Sequence, residues 1–114
     1  MFQITTLDSS PKQEIIMILD DGSRVTFTFE YKSNQLGWFW GFKYGDYNYQ
    51  NMRLVTSYNL LRAYKSYLPF GLRVDTPDMG EPDNITDFDS GYASVYLLIA
   101  QDVQTIESTY YAKV

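Results

Sequence analysis

Ile15-Ile16-Met17-Ile18-Leu19-Asp20-Asp21-Gly22-Ser23-Arg24-Val25-Thr26-Phe27-Thr28-Phe29-Glu30-Tyr31 is the stretch whose reading decides the fold. Its first five residues are uniformly apolar and read equally as strand or buried helix. The residues that follow settle the matter. Asp21-Gly22 accepts the positive φ of a two-residue hairpin turn. Beyond it, Val25, Phe27, Phe29 and Tyr31 alternate with Thr26, Thr28, Glu30 and Lys32. Period two with one apolar face is a half-buried strand. The stretch is therefore a β-hairpin.

Upstream, residues 1–7 alternate weakly and read as a first strand, closed by the turn Asp8-Ser9-Ser10-Pro11. Downstream, residues 33–37 turn the chain. Trp38, Trp40, Phe42 and Tyr44 then share one face, with Phe39, Gly41 and Lys43 on the other. Gly41 among bulky rings marks a bulge or a close backbone approach. After a turn at Gly45-Asp46, Tyr47, Tyr49, Asn51 and Arg53 alternate with Asn48, Gln50, Met52 and Leu54. A meander of four strands is expected by that point.

The periodicity breaks over residues 58–75. Leu60, Leu61 and Tyr64 fall at helical spacing, which predicts one helical or 3₁₀ turn within 59–65. Leu68-Pro69 ends it, because the residue before proline avoids the α region. Residues 70–74 read as a short strand. Residues 75–91 form a long polar loop carrying Asp75, Asp78, Glu81, Asp83, Asp87 and Asp89. Loops of that length in compact domains are functional or flexible. Residues 92–101 read as the last strand. Its continuous apolar run at 95–100 predicts a central position covered on both faces. Residues 102–114 read as a final strand or as a tail packed on a partner. The expectation is one all-β domain spanning 1–114, a small barrel or sandwich of six to eight strands with one short helical turn.

Composition narrows the function classes. With no cysteine, the 114 residues hold no disulfide, thiol nucleophile or cysteine metal site. With no histidine, they lack the commonest general base and transition-metal ligand. The expectation is a non-enzyme, with no catalytic, cofactor or metal residues. A net charge of −5 argues against a nucleic-acid module, which shows a basic stripe. No apolar run approaches a membrane span. The first residues lack the basic region of a signal peptide, so synthesis in the cytoplasm is expected.

Three constellations remain. Asp87-Phe88-Asp89-Ser90-Gly91 lacks the acidic spacing and closing glutamate of a calcium loop, which favours a solvated surface loop. Trp38, Trp40, Phe42, Tyr44, Tyr47 and Tyr49 would suit a carbohydrate-stacking platform, but the same pattern fits core and sheet edge better. Arg62, Lys65 and Arg73 sit within an apolar, aromatic segment. Arginine among aromatics is the composition of interface hot spots. Interface residues are therefore expected at Tyr58, Leu60, Leu61, Arg62, Tyr64, Tyr67 and Phe70.

An ordered series of short motifs adds to this. It comprises the hairpin at Asp21-Gly22, Trp38-Phe39-Trp40, Leu60-Leu61-Arg62 with Tyr64, and Leu68-Pro69-Phe70-Gly71-Leu72. Val74-Asp75-Thr76, the acidic proline-containing loop and Asp89-Ser90-Gly91 follow. In order and spacing the chain resembles the baseplate plug proteins of tailed bacteriophages, the family named after a cyanophage baseplate plug. Phe70 departs from the family turn, and residues 102–114 carry no family motif. The resemblance implies a structural protein at the centre of the baseplate in the virion, between the tail tube and the hub. It implies a homo-oligomeric ring and partners among hub, tail-tube and tape-measure proteins. It implies no catalytic residue, cofactor or membrane. The alternative on residue chemistry is a small β-sandwich that binds carbohydrate through its aromatic strand.

Overall fold

A computed structural model describes residues 1–111. Seven strands form two antiparallel sheets. Lys12–Ile18 (β2), Arg24–Lys32 (β3), Gly37–Tyr44 (β4) and Tyr47–Arg53 (β5) make a four-stranded meander in chain order. Phe2–Gln3 (β1), Phe70–Asp75 (β6) and Ser94–Ile99 (β7) make the second sheet, in the order β1-β7-β6. The sheets stack as an open sandwich, and no barrel closes. The all-β expectation holds in its sandwich form.

The core follows from the alternation in β3 and β4. Val25, Phe27, Phe29, Trp38 and Phe42 are fully buried, and Trp40 nearly so. They meet Leu72, Val74, Val95 and Leu97 of the second sheet in one apolar cluster. Burying each large side chain of this kind contributes about 1.5–3 kcal/mol. Phe70 links the two sheets, with ring centroids 6.0 Å from Phe27, 5.6 Å from Phe42 and 5.2 Å from Tyr44, each edge-on.

Local geometry departs from expectation at four places. The β2–β3 loop has three residues, not two. The Leu19 N–H donates to the Ser23 carbonyl at 2.8 Å and the Gly22 N–H to the Leu19 carbonyl at 2.9 Å. Only Gly22 takes positive φ there (84°), the pattern of a three-residue loop ending in a left-handed residue. In β5 the alternation changes phase. Gln50 and Asn51 together oppose Gly41, with Asn51 at φ 62°. Past that bulge Met52 and Leu54 turn to the core, and Arg53 turns outward, against the simple alternation. A Cβ at Gly41 would collide with the Tyr49 carbonyl and the Gln50 side chain, so only glycine fits opposite the bulge. The first strand is shorter than residues 1–7, although Ile4 and Leu7 are buried.

The largest departure is C-terminal. Residues 102–111 are neither strand nor free tail. Ala100–Ile106 forms an α-helix (α1), and Glu107–Tyr111 continues it as a wider π turn. Residues 112–114 of that expectation lie outside the described residues. Val103, Ile106 and Leu98 form a second small apolar cluster, joined by Tyr58 and Tyr111. Strand β7 is thus central in its sheet, facing the main core through Val95 and Leu97 and α1 through Leu98.

Candidate docking surface

The segment after β5 is held by a buried amide. Asn59 is 4% exposed. Its Oδ1 accepts the Leu61 N–H at 3.0 Å and the Leu72 N–H of β6 at 3.3 Å. The Leu60 N–H donates to the Leu72 carbonyl at 2.7 Å, and Ser57 bridges Val74. These bonds clamp the segment along the open edge of β6. A run of tight turns follows, with Arg62–Tyr64 a 3₁₀ turn. The Leu68 N–H closes on the Tyr64 carbonyl at 3.0 Å before Pro69. The expected helical turn and the strand after it are both present.

The expected interface residues divide by burial. Leu61 and Phe70 are each 1% exposed and belong to the core, so neither reaches solvent in the monomer. Leu60 and Tyr64 are half-buried against that core, Tyr64 lying 5.3 Å from the Tyr49 ring. Tyr67 stands out, 68% exposed. Tyr58 and Arg62 face the C-terminal helix.

That helix consumes the cations. The Arg62 guanidinium donates to both oxygens of Glu107, at 2.7 and 3.1 Å, and Lys65 Nζ donates at 2.7 Å. Hydrogen bonds from Arg62 and then Lys65 hold the Glu107 carboxyl below its ordinary range. Arg62 also lies 3.8 Å from the Tyr111 ring centroid. Tyr58 stacks on Tyr110 at 3.9 Å and 10°. Arg73 pairs with Asp75 at 2.9 Å and covers Tyr58 at 5.2 Å. The three cations are thus paired rather than free: Arg62 and Lys65, still partly exposed, clamp the helix, and Arg73 packs beside the Tyr58 ring that the helix covers. Sequence reasoning missed Glu107 and Asn59. Val103, Ile106 and Tyr110 at i, i+3 and i+7 carried the helical signal. Asn59 two residues before Leu61 carried the turn signal.

The acidic loop also resolves into structure. The Asp78 carboxylate accepts the Tyr92 hydroxyl at 2.9 Å and the Gly80 N–H at 3.1 Å, which lowers its pKa. Glu81 pairs with Arg53, and Asp89 accepts the Ser9 hydroxyl. Asp87 is 5% exposed and accepts the Asn84 N–H. Each of these acids has a different partner, so the loop is pinned across one end of the sandwich. Among the described residues no three potential metal ligands converge.

The aromatic strand faces inward. Trp38, Trp40 and Phe42 are core, and the Trp38 Nε1–H donates to the Asn84 carbonyl at 3.0 Å. Those three rings are therefore closed to a carbohydrate, while Tyr44, Tyr47 and Tyr49 are half-buried against the same core. A surface hollow of about 490 Å³ lies instead on the outer face of the four-stranded sheet. It is lined mainly by polar residues such as Glu14, Thr28, Lys43 and Gln50, and includes none of the expected interface residues.

Among curated proteins the chain finds no match. A protein family does match, and it is the one its motifs resemble. Residues 1–101 fit the family described as the cyanophage baseplate Pam3 plug gp18, and the chain belongs to that family, whose place is structural, in the phage tail baseplate.

Proposed function

We propose that the chain acts as a non-enzymatic plug between the tail tube and the central hub of the baseplate. The observation that carries this reading is the family match over residues 1–101. It works through protein–protein contacts, as copies assembled in a ring on the tail axis after synthesis in the host cytoplasm. Hub, tail-tube and tape-measure proteins are its partners, and neither membrane nor specific nucleic-acid binding is needed.

Tyr58, Leu60, Arg62, Tyr64 and Tyr67 form the docking surface in this reading, with Leu61 and Phe70 anchoring it from beneath. Two features favour it. Tyr67 is 68% exposed on a segment pinned by backbone hydrogen bonds, so its ring is presented with little ordering cost. Tyrosine and arginine are also the residues that carry interface energy.

An image reconstruction of the phage tail tests the placement: ring density for this chain on the tail axis is expected. Its absence from the axis would overturn the reading. Tyr67→Ala tests the surface. The isolated variant should melt as the parent does, because the ring touches solvent. Its copy number in purified particles, counted by mass spectrometry, should fall about tenfold, equivalent to about 1.4 kcal/mol of docking energy.

A further inference from the structure

Strand β2 is an edge strand whose second half, from Ile16 to Ile18, lacks the usual protection. Among the described residues it pairs only with β3, in unbroken register from Lys12↔Glu30 to Ile18↔Arg24. The bonds at its ends fix which groups are spent. The Leu19 N–H donates to Ser23 and the Tyr31 N–H to Pro11. In an antiparallel ladder such bonded pairs alternate. Gln13, Ile15 and Met17 therefore direct their backbone groups at β3. Lys12, Glu14, Ile16 and Ile18 direct theirs away from the sheet. Two of those four are large apolar residues in solvent, Ile16 at 56% and Ile18 at 65% exposure.

Natural edges are blunted by proline, charged side chains, bulges or short length, and Lys12 and Glu14 supply such charge only in the first half of β2. β2 has no proline and no bulge across seven residues. The opposite edge, β5, is interrupted by the bulge at Gln50-Asn51. The exposed isoleucines and open backbone groups coincide on one side of the meander only.

We propose that β2 pairs antiparallel with β2 of a second copy of this chain, joining two four-stranded sheets into one continuous sheet. The residue pattern selects the register. Centring the two-fold axis on Ile16 pairs Ile16 with its own copy and Glu14 with Ile18. It also places Lys12 beside Asp20 of the second copy at both ends. Centring on Glu14 sets Glu14 against its own copy. Centring on Met17 sets Glu14 against Asp20. Like charges directly opposite are destabilising. Centring on Ile15 sets Ile16 against Glu14 and Ile18 against Lys12, with no ion pair. Only the Ile16 register puts apolar residues at the axis and opposite charges at the ends. This contact does not rest on the tail reading, and it leaves the Tyr58 to Tyr67 surface free.

Sedimentation of the full chain from about 1 μM to 1 mM is expected to reach twice the monomer mass. Amide exchange at Ile16 and Ile18 should slow as the dimer fills. Ile16→Lys should raise the dissociation constant at least about tenfold, with unchanged circular dichroism because the side chain is exposed. Lys12→Glu and Asp20→Lys should each weaken the dimer, and the two together should restore it. A chain that stays monomeric throughout overturns the proposal. So does a dimer that survives Ile16→Lys, or a double charge exchange that restores nothing. The exchange measurement needs no variant, so it decides the matter even if a substitution disturbs folding.

Discussion

At the scale of the residue, Asn59 and Gly71 form one device. A Cβ on Gly71 would stand 2.5 Å from Asn59 Oδ1, the atom that accepts the Leu61 and Leu72 N–H groups. Glycine is needed here for space rather than for backbone freedom. Asn59→Ala would leave those N–H groups without an acceptor, at a cost of about 2 kcal/mol. Gly71→Ala should cost a similar amount by pushing the amide off its donors. Because both act on the same space, the two should not add: with alanine at 59, the second methyl has room. Urea unfolding of both single variants and the double variant measures this, and full additivity would separate the sites. The apolar spacing of Leu60, Leu61 and Tyr64 was legible in the sequence. The polar hub was not, since a buried asparagine and a surface asparagine look alike until the strand it serves is in place.

At the scale of the element, the C-terminal helix is what most changes the sequence reading. Its apolar residues are few, and its polar face resembles a solvated tail. It is held by Leu98, by the Tyr58–Tyr110 stack and by Glu107 between Arg62 and Lys65. The Glu107 carboxyl titrates below its ordinary value in the folded chain. Its contribution is therefore fully present above the ordinary carboxylate range near 4.3, and is lost as pH falls through the depressed native value. Acidification below about pH 4 should loosen the helix first, seen as faster amide exchange at Val103 and Ile106. Glu107→Gln should speed that exchange already at neutral pH and flatten its dependence on acid. Added salt should act in the same direction, since the clamp lies near the surface. The family match ends at residue 101, so almost all of this helix lies outside it.

At the scale of the whole molecule, the sandwich is closed by rings rather than by strand connections. Phe70 sits edge-on to Phe27, Phe42 and Tyr44 and so ties the second sheet to the first. Phe70→Ala should cost about 4 kcal/mol, a large part of the 5–15 kcal/mol typical of a domain. A thermal melt should show it as the loss of a cooperative transition at physiological temperature. Replacing Leu61 with serine should likewise unfold the monomer before it reports on docking, so tests of assembly belong at Tyr67. The sequence by itself determined the strands: the hairpin around Gly22, the meander to Leu54, the central place of β7 and the turn before Pro69. Each follows from periodicity, turn chemistry or proline sterics, which act over a few residues. It also carried the ordered motifs by which the family was recognised. Only the tertiary structure decided which partners the side chains after Tyr58 meet. Leu61 and Phe70 went to the core, Arg62 and Lys65 to Glu107, and Ile16 and Ile18 to an open edge. Those outcomes depend on partners far away along the chain, and a side chain's periodicity says which face it takes, not what meets it there.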